Sequence, residues 1–254
     1  MVALLLLHVG QAPGSVALLL NLRFAPRVPL FLPLTAAWLW VFWQYVGGRG
    51  WPPGTAAQRR LDLRATSLPR SVWLWSLAAG GAAQASVLSL ALLTSRIARL
   101  PAKAYEVPLD LSPYPWWIVL SFFLVIAGVA GVVEEAAFRG YMLSQIERRH
   151  GWGVAIGLVA AMFYVVHLSH AYATLAFVPF FVAFSLVQGL LVFTTRSILP
   201  SVVVHAVGDF CILPIQYGVI GLPFGPSPWP YLAAVVAFGL LAVPAFGRLR
   251  TLTR

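Results

Sequence analysis

The sequence predicts an all-α polytopic membrane protein, with about eight transmembrane helices around an intramembrane cavity. Of its 254 residues, 60% are hydrophobic and 9% are charged, whereas soluble domains carry about 25% charged residues. Apolar runs of nearly twenty residues recur along the chain, and each can cross a hydrocarbon core of ~30 Å as a helix. Ionisable residues inside some of these runs predict the cavity, because charge is costly in hydrocarbon and usually has a function there.

Eight apolar runs mark the predicted helices of a single transmembrane domain, residues 1–254. They lie near residues 2–22, 29–47, 71–94, 116–138, 152–168, 172–194, 198–218 and 229–247. The first run is the weakest, since the sequence HVGQAPGS interrupts it at residues 8–15. It has neither a basic start nor a small-residue cleavage site, so it is predicted to be a retained segment rather than a signal peptide. The longest polar stretch, residues 48–70, is predicted to be a loop.

Positive charge follows the loops between these runs. The net charge is +10, from 17 Lys and Arg against 7 Asp and Glu. With eight crossings both termini lie on one side of the membrane, and that side carries eleven arginines: Arg49, Arg59, Arg60, Arg64, Arg70, Arg148, Arg149, Arg196, Arg248, Arg250 and Arg254. The other side carries five basic residues: Arg23, Arg27, Arg96, Arg99 and Lys103. The excess predicts that the first side is cytoplasmic, and it explains the basic composition without a nucleic-acid partner.

Three clusters of ionisable residues lie inside apolar runs. They are Glu134 and Glu135 with Arg139, then His167, then His205 with Asp209. Such side chains activate water and transfer protons. Glu135 and Arg139 are four residues apart and share a helical face, so we expect an ion pair. Glu134 points about 100° away from that face and is free for another role.

Helical rise predicts that the three clusters lie at one level. Glu134 lies about 16 residues before the turn near residue 150, and His167 about 16 residues after it, so both lie ~24 Å from the turn along their helices. His205 follows Arg196 by about nine residues, which is ~13 Å of helix. Antiparallel helices would therefore gather the clusters in the cytoplasmic half of the bilayer, in a cavity open to the cytoplasmic side.

The clusters resemble the motifs of a known family. Residues 134–139 (EEAAFR) match an EExxxR motif, residues 163–167 (FYVVH) match FxxxH, and residues 205–209 (HAVGD) match HxxxN/D. In this order, and in apolar helices, they resemble the motifs of the CAAX-prenyl-protease-like intramembrane endopeptidases, the CPBP or ABI family. The resemblance covers about residues 115–220, which is the predicted catalytic core.

The resemblance implies an endopeptidase that hydrolyses a peptide bond in a membrane-associated or membrane-embedded peptide. Glu134 would be the general base that activates a water molecule, with His167 assisting. His205 and Asp209 would stabilise the oxyanion. Three further residues would support the site by pairing or packing: Glu135, Arg139 and Phe163.

Asp209 departs from the residue that prenyl-protein proteases of this family tend to carry, which is Asn. An Asn side chain can donate a hydrogen bond to an oxyanion, whereas an ionised Asp cannot. Asp209 must therefore either donate as a protonated acid or act through His205 by keeping that ring charged. The first role is the expectation from the sequence, since the family's own alternative is Asn.

A zinc site is the alternative mechanism. Glu134, His167 and His205 form a His₂Glu set, a ligand type of catalytic zinc. The chain lacks HExxH, which would have placed two ligands and a base on one helix, and the resemblance implies a mechanism without a metal. The expected cofactor is therefore none, with zinc as the alternative. The single cysteine, Cys211, excludes an intrachain disulfide and a Cys-rich metal site.

Two functions other than proteolysis also bury ionisable residues. A proton-coupled transporter would bury Glu, His and Asp, yet the chain shows no repeated halves. A non-catalytic partner, such as a bacteriocin-immunity protein, would not need all three motifs. Usage rich in Ala, Arg and Leu indicates a bacterial source and hence the inner membrane. A peptide leader or a C-terminal membrane-sorting signal is then the expected substrate, rather than a prenylated protein.

Overall fold

The structure is a computed structural model that describes residues 1–98, 109–170 and 173–254. Within these ranges the chain forms nine α-helices: α1 (Val2–Phe24), α2 (Phe31–Val46), α3 (Ala56–Leu63), α4 (Arg70–Ile97), α5 (Trp116–Val129), α6 (Leu143–His167), α7 (Val178–Thr195), α8 (Leu199–Gln216) and α9 (Trp229–Leu252). A π-helical segment, Ala130–Met142, joins α5 directly to α6. Its backbone hydrogen bonds span five residues, a wide turn that is often found at functional sites.

Six helical stretches of the described residues are long and apolar enough to cross a membrane. One is Trp116–His167, of 52 residues, which Gly151 divides within α6 because its φ of 77° and ψ of 166° are not helical. Helix α2 is apolar but shorter, with 16 residues. Counting the two parts of the divided stretch separately and adding α2 raises six to eight, as the sequence predicted. The all-α polytopic fold is confirmed.

Helix α1 is continuous, although the sequence predicted an interruption at residues 8–15. Pro13 lies inside it, which membrane helices tolerate when neighbouring groups satisfy the freed backbone. The small residues allow close packing: a Cβ on Gly10 would lie 2.4 Å from a methyl carbon of Val133, and one on Gly14 would lie 3.1 Å from a methyl carbon of Thr35. Small residues of the interrupted part of the apolar run therefore bring α1 against the π-helical segment, at Gly10, and against α2, at Gly14.

The arginine-rich end of the bundle is the end where α2 stops, α3 lies, and α4 and α8 begin. The predicted loop over residues 48–70 contains α3, which is too short and polar to form an apolar run. Its Arg59 is buried and donates hydrogen bonds to four backbone carbonyls: Tyr45, Arg49, Gly50 and Pro52. Asp62 accepts hydrogen bonds from Arg148 at 2.6 Å and from Gln145 at 2.8 Å. The Arg59 contacts hold α3 against the end of α2 and the segment after it, and the Asp62 contacts fasten α3 to α6.

The core lies between α1, α5, the π-helical segment, α6, α7 and α8, and it is rich in aromatic side chains. Phe122, Phe138 and Phe181 are among its largest fully buried residues. Helices α4 and α9 form a long antiparallel pair at one edge, where Val72 near the start of α4 packs with Leu249 near the end of α9. The residues that carry the three motifs therefore lie at the centre of the bundle rather than at its edge.

Gly131 permits a close approach between the π-helical segment and α8. A Cβ there would lie 2.8 Å from the carbonyl oxygen of Val202 and 2.8 Å from the Cβ of Ala206. Because one of these atoms belongs to the backbone, the two helices would have to move apart to admit a side chain. The approach also brings Glu134 toward His205 on α8, so the packing at Gly131 positions the site.

We expect Gly131→Ala to destabilise the protein by about 1–3 kcal/mol, the usual cost of overpacking a core. A lower thermal midpoint of the detergent-purified protein would measure this loss. Gly128→Ala is the matched control, since a Cβ there meets nothing within 4 Å and Ala favours a helix. Equal midpoints for the two variants would show that the contact between the helices is loose.

Candidate active site

Glu134 and Glu135 are neighbours in the π-helical segment, but their surroundings differ. Glu135 is 0% exposed and Glu134 is 8% exposed. Oε1 of Glu135 accepts hydrogen bonds from Arg139 at 2.9 Å and from Nδ1 of His205 at 2.8 Å. Oε2 accepts a hydrogen bond from the hydroxyl of Ser201. Both oxygens of Glu135 are therefore occupied by fixed partners, as expected of a structural carboxylate.

Arg139 is fully buried and is neutralised by Glu135, so the ion pair predicted from their spacing is confirmed. Its second terminal nitrogen donates a hydrogen bond to the hydroxyl of Ser185 at 3.2 Å. The guanidinium lies 4.7 Å from the centre of the Phe163 ring, within the range of a cation–π interaction. Phe163 therefore contacts Arg139, and its ring also packs against His167 with ring centres 4.5 Å apart.

A row of neutral polar side chains continues from Glu135 into the bundle. The hydroxyl oxygen of Ser201 lies 2.9 Å from Oε1 of Gln188, and Gln188 donates a hydrogen bond to Gln84 at 3.0 Å. All three residues are buried. They escaped prediction because single Ser and Gln residues in apolar helices form no motif. One signal could have indicated them: burying an amide without a hydrogen-bond partner costs free energy, so a Gln in an apolar helix implies a polar neighbour.

Glu134 lines a cavity of about 340 Å³ together with Gln11 of α1. The amide nitrogen of Gln11 donates a hydrogen bond to Oε1 of Glu134 at 3.0 Å. Oε2 of Glu134 then lies 3.9 Å from Nε2 of His205. Gln11 was not predicted as a site residue, because it lies in the weakest apolar run. The one indication of its role in the sequence was a polar side chain inside a membrane-spanning run.

His205 lies against three carboxylates and is 2% exposed. Nδ1 donates to Glu135, while Nε2 lies 3.4 Å from Oδ2 of Asp209 and 3.9 Å from Oε2 of Glu134. An ionised carboxylate only accepts hydrogen bonds, so Nδ1 carries a proton, and the two carboxylates near Nε2 favour a proton there as well. An edge-on contact with Phe184, with ring centres 4.7 Å apart, holds the plane of the His205 ring.

His167 ends α6 and lines the same cavity as Glu134 and Asp209. Its Nδ1 donates a hydrogen bond to the backbone carbonyl of Phe163 at 2.6 Å, which leaves the lone pair of the neutral ring on Nε2. His170, which follows α6, is exposed and also lines the cavity. Desolvation, together with the neighbouring His167, lowers the pKa of His170.

The cavity runs from Glu134 away from the arginine-rich end. Its wall continues back along α5 to Val125, along α8 from Asp209 to Tyr217, and beyond α6 to His170. These parts lie where α5 begins and α8 ends, at the opposite end of the bundle. The sequence predicted an opening toward the arginine-rich end. Helical rise gives the depth of a residue, but the direction of an opening depends on which neighbouring helix leaves a gap.

The structure brings together all four residues predicted to act on the substrate. Glu134, His167 and Asp209 line the cavity, and His205 lies within 4 Å of the Glu134 and Asp209 carboxylates. Within the described parts of the chain, no group of three His, Cys, Asp or Glu side chains is arranged to hold a metal ion.

Comparison with known proteins identifies the segment that carries this site. Residues 115–211 match the family described as type II CAAX prenyl endopeptidase, Rce1-like. The match confirms the resemblance inferred from the motifs. It covers less than half of the chain: Glu134, His167, His205 and Asp209 lie inside it, and Gln11 lies outside. No curated protein and no solved structure matches the chain.

Replacing Arg139 by Gln would leave the Glu135 carboxylate buried without its cation, so we expect a loss of ~3–5 kcal/mol in stability. Arg196→Gln is the matched control. Arg196 pairs with Glu147 at 3.0 Å, but its side chain is 63% exposed, and exposed pairs contribute ~0–1 kcal/mol. Purified yield and thermal midpoint would compare the variants. Equal stability would contradict a structural role for the buried pair.

Proposed function

We propose that this protein is an intramembrane endopeptidase in which Glu134 activates a water molecule. Its substrate is a peptide or protein with a membrane-associated segment, and the peptide bond is hydrolysed in the cavity beside Glu134. The match of residues 115–211 to an endopeptidase family supports proteolysis. The arrangement of the side chains supports the choice of Glu134 as the base.

The observation that carries the proposal is the contrast between the two adjacent glutamates. Both oxygens of Glu135 accept hydrogen bonds from fixed neighbours. Glu134 instead lines the cavity, with Oε1 bound to Gln11 and Oε2 no closer than 3.9 Å to His205. A carboxylate that is shielded from bulk water, with one oxygen available to the cavity, is suited to take a proton from a water molecule there.

The proposed reaction begins with a water molecule between Glu134 and His167. Oε2 of Glu134 takes a proton from this water as the water oxygen attacks the carbonyl carbon of the peptide bond. His167 accepts a hydrogen bond on Nε2 and orients the water. The tetrahedral intermediate then breaks its C–N bond, and Glu134 returns the proton to the leaving nitrogen. One water is consumed, and a carboxyl and an amino terminus are formed.

The oxyanion of the intermediate needs a hydrogen-bond donor, and the position of His205 supports that role. Nδ1 of His205 is held by Glu135 at 2.8 Å, so Nε2 is the donor available to the substrate. An imidazolium is a stronger donor than a neutral ring, particularly where water is scarce. Asp209, 3.4 Å from Nε2, would keep the charge on the ring. We therefore favour the second of the two roles considered for Asp209.

The surroundings of the cavity favour a substrate with an apolar segment. A second cavity, of about 840 Å³, adjoins the first, and Tyr217 lines both. Its wall includes the aromatic side chains of Trp116, Phe123 and Phe210. We infer that apolar residues next to the scissile bond lie in this second cavity. A peptide leader or a C-terminal membrane-sorting signal has such residues.

The protein is a multi-pass integral membrane protein, and we propose the bacterial inner membrane as its location. An excess of arginine marks the cytoplasmic side of membrane proteins. With the arginine-rich end in the cytoplasm, the cavity opens on the opposite side of the membrane. Substrates would then be cleaved at the outer half of the bilayer or during export.

Glu134→Gln preserves the shape of the side chain and removes the base. We expect the rate of peptide cleavage to fall by ~10²–10⁴, while the yield and the thermal midpoint stay close to those of the wild type. Membrane peptides retained by the inactive variant would be identified by mass spectrometry. The same peptides, offered to both proteins in detergent, would then give the two rates.

Glu147→Gln is the matched control for Glu134→Gln. Glu147 lies in α6, outside the cavity, where it pairs with Arg64 and Arg196, so this variant should cleave at the wild-type rate. Full activity of Glu134→Gln would end the glutamate mechanism. Loss of wild-type activity with a chelator, restored by zinc, would replace it with a metalloprotease mechanism.

Asp209→Asn separates the two roles of Asp209. If the carboxylate keeps His205 charged, the loss of a negative charge 3.4 Å from Nε2 should lower activity roughly tenfold and move the alkaline limb of the pH–rate profile to lower pH. Profiles of the variant and the wild type would measure both effects. An active variant whose alkaline limb moves to higher pH would instead support a protonated Asp209, because an amide donates at every pH.

A further inference from the structure

A pocket of about 380 Å³ lies at the arginine-rich end, between the end of α2, α3 and the segment that follows α3. Arg49 and Arg60 supply its positive charge, and both are exposed. Gln44 and Thr66 add an amide and a hydroxyl, and the Trp43 ring lines one wall. The pocket thus combines two cations with neutral hydrogen-bonding groups.

The positive charge of this pocket is not balanced by the protein. Neither Arg49 nor Arg60 forms an ion pair with any residue that the structure describes. Asp62 and Glu147, the carboxylates described at this end, are held by other arginines: Arg64, Arg148 and Arg196. The pocket is therefore suited to an anion from outside the chain.

An apolar groove of about 440 Å³ adjoins the pocket, and Trp43 lines both. Trp40 of α2 forms one side of the groove, Val203 of α8 forms the other, and Val132 of the π-helical segment lies between them. Trp40 is 63% exposed and Val203 is 37% exposed. Because these helices cross the membrane, the groove opens to hydrocarbon.

We propose that the pocket and the groove together bind one anionic phospholipid. The phosphate lies between Arg49 and Arg60, since each guanidinium group can donate two parallel hydrogen bonds to phosphate oxygens. An acyl chain passes Trp43 and follows the groove. Basic pockets between transmembrane helices bind anionic head groups in this way. The pocket alone could bind any phosphate, and the groove alone could bind any apolar chain. Because the two are continuous, they favour a molecule that has both a phosphate and an acyl chain.

The lipid site is separate from the catalytic cavity and does not depend on the proposed protease activity. The two share the π-helical segment as a common wall: Val132 lines the groove and Glu134 lines the cavity. The experiment that tests the lipid site therefore measures binding and not cleavage.

Native mass spectrometry of the full-length protein in detergent, with added phosphatidylglycerol or phosphatidylcholine, tests the site. We expect the double variant Arg49→Gln, Arg60→Gln to retain about tenfold less phosphatidylglycerol than the wild type. The double variant Arg248→Gln, Arg250→Gln is the matched control, because both arginines are exposed on α9 at the same end. It removes the same charge away from the pocket and should retain the lipid at close to the wild-type level.

A second variant tests the groove. Val203→Trp fills the groove and leaves the arginines in place, so it should also weaken retention of phosphatidylglycerol. Equal losses in the two arginine variants would overturn the proposal, because they would show a general attraction of the basic end for anionic lipid. Equal retention of both lipids by the wild type would overturn it as well. Displacement of the lipid by inorganic phosphate at a similar concentration would show a simple anion site, and would overturn the role of the groove.

Discussion

The buried pair of Glu135 and Arg139 is the interaction on which the rest of the site depends. Two charges at this depth are tolerated only as a pair with further hydrogen bonds. Those bonds come from neighbouring helices, and each one also fixes its partner. Glu135 holds His205 and Ser201 on α8, and Arg139 holds Ser185 on α7. Neutralising one carboxylate thus also fixes the orientation of the His205 ring.

The same pair explains why two glutamates stand side by side. Satisfying Glu135 with three donors removes it from the chemistry, and so the negative charge available to the cavity belongs to Glu134. A single glutamate could not both anchor the helices and change its protonation state. In the mechanism proposed above, protonation of that glutamate in each catalytic cycle would break the anchor. The wide π-helical turn carries both residues, with one carboxylate toward the bundle and the other toward the cavity.

Features that depend on one helix at a time could be predicted from the sequence. The pairing of Glu135 with Arg139 and the common level of the three clusters follow from helical spacing alone. Contacts between helices could not be predicted in this way. Ser201 meets Glu135 only because Gly131 lets α8 approach, and no periodicity in either helix encodes that meeting. The course of the cavity could not be predicted for the same reason, since it depends on the gaps between helices.

Gln11 shows how a region outside the matched segment completes the site. A carboxylate with two available oxygens could turn either one toward the cavity. The amide of Gln11 occupies Oε1 of Glu134 and leaves Oε2 beside His205. Helix α1 reaches this position because Gly10 carries no side chain where α1 meets Val133 of the π-helical segment, and Gly14 carries none where it meets α2. A polar residue flanked by small ones weakens an apolar run, yet it is what a helix needs to deliver a hydrogen bond to a buried carboxylate. A polar interruption of an apolar run in a membrane protein can therefore mean either that the helix breaks there or that a continuous helix contacts a functional site there.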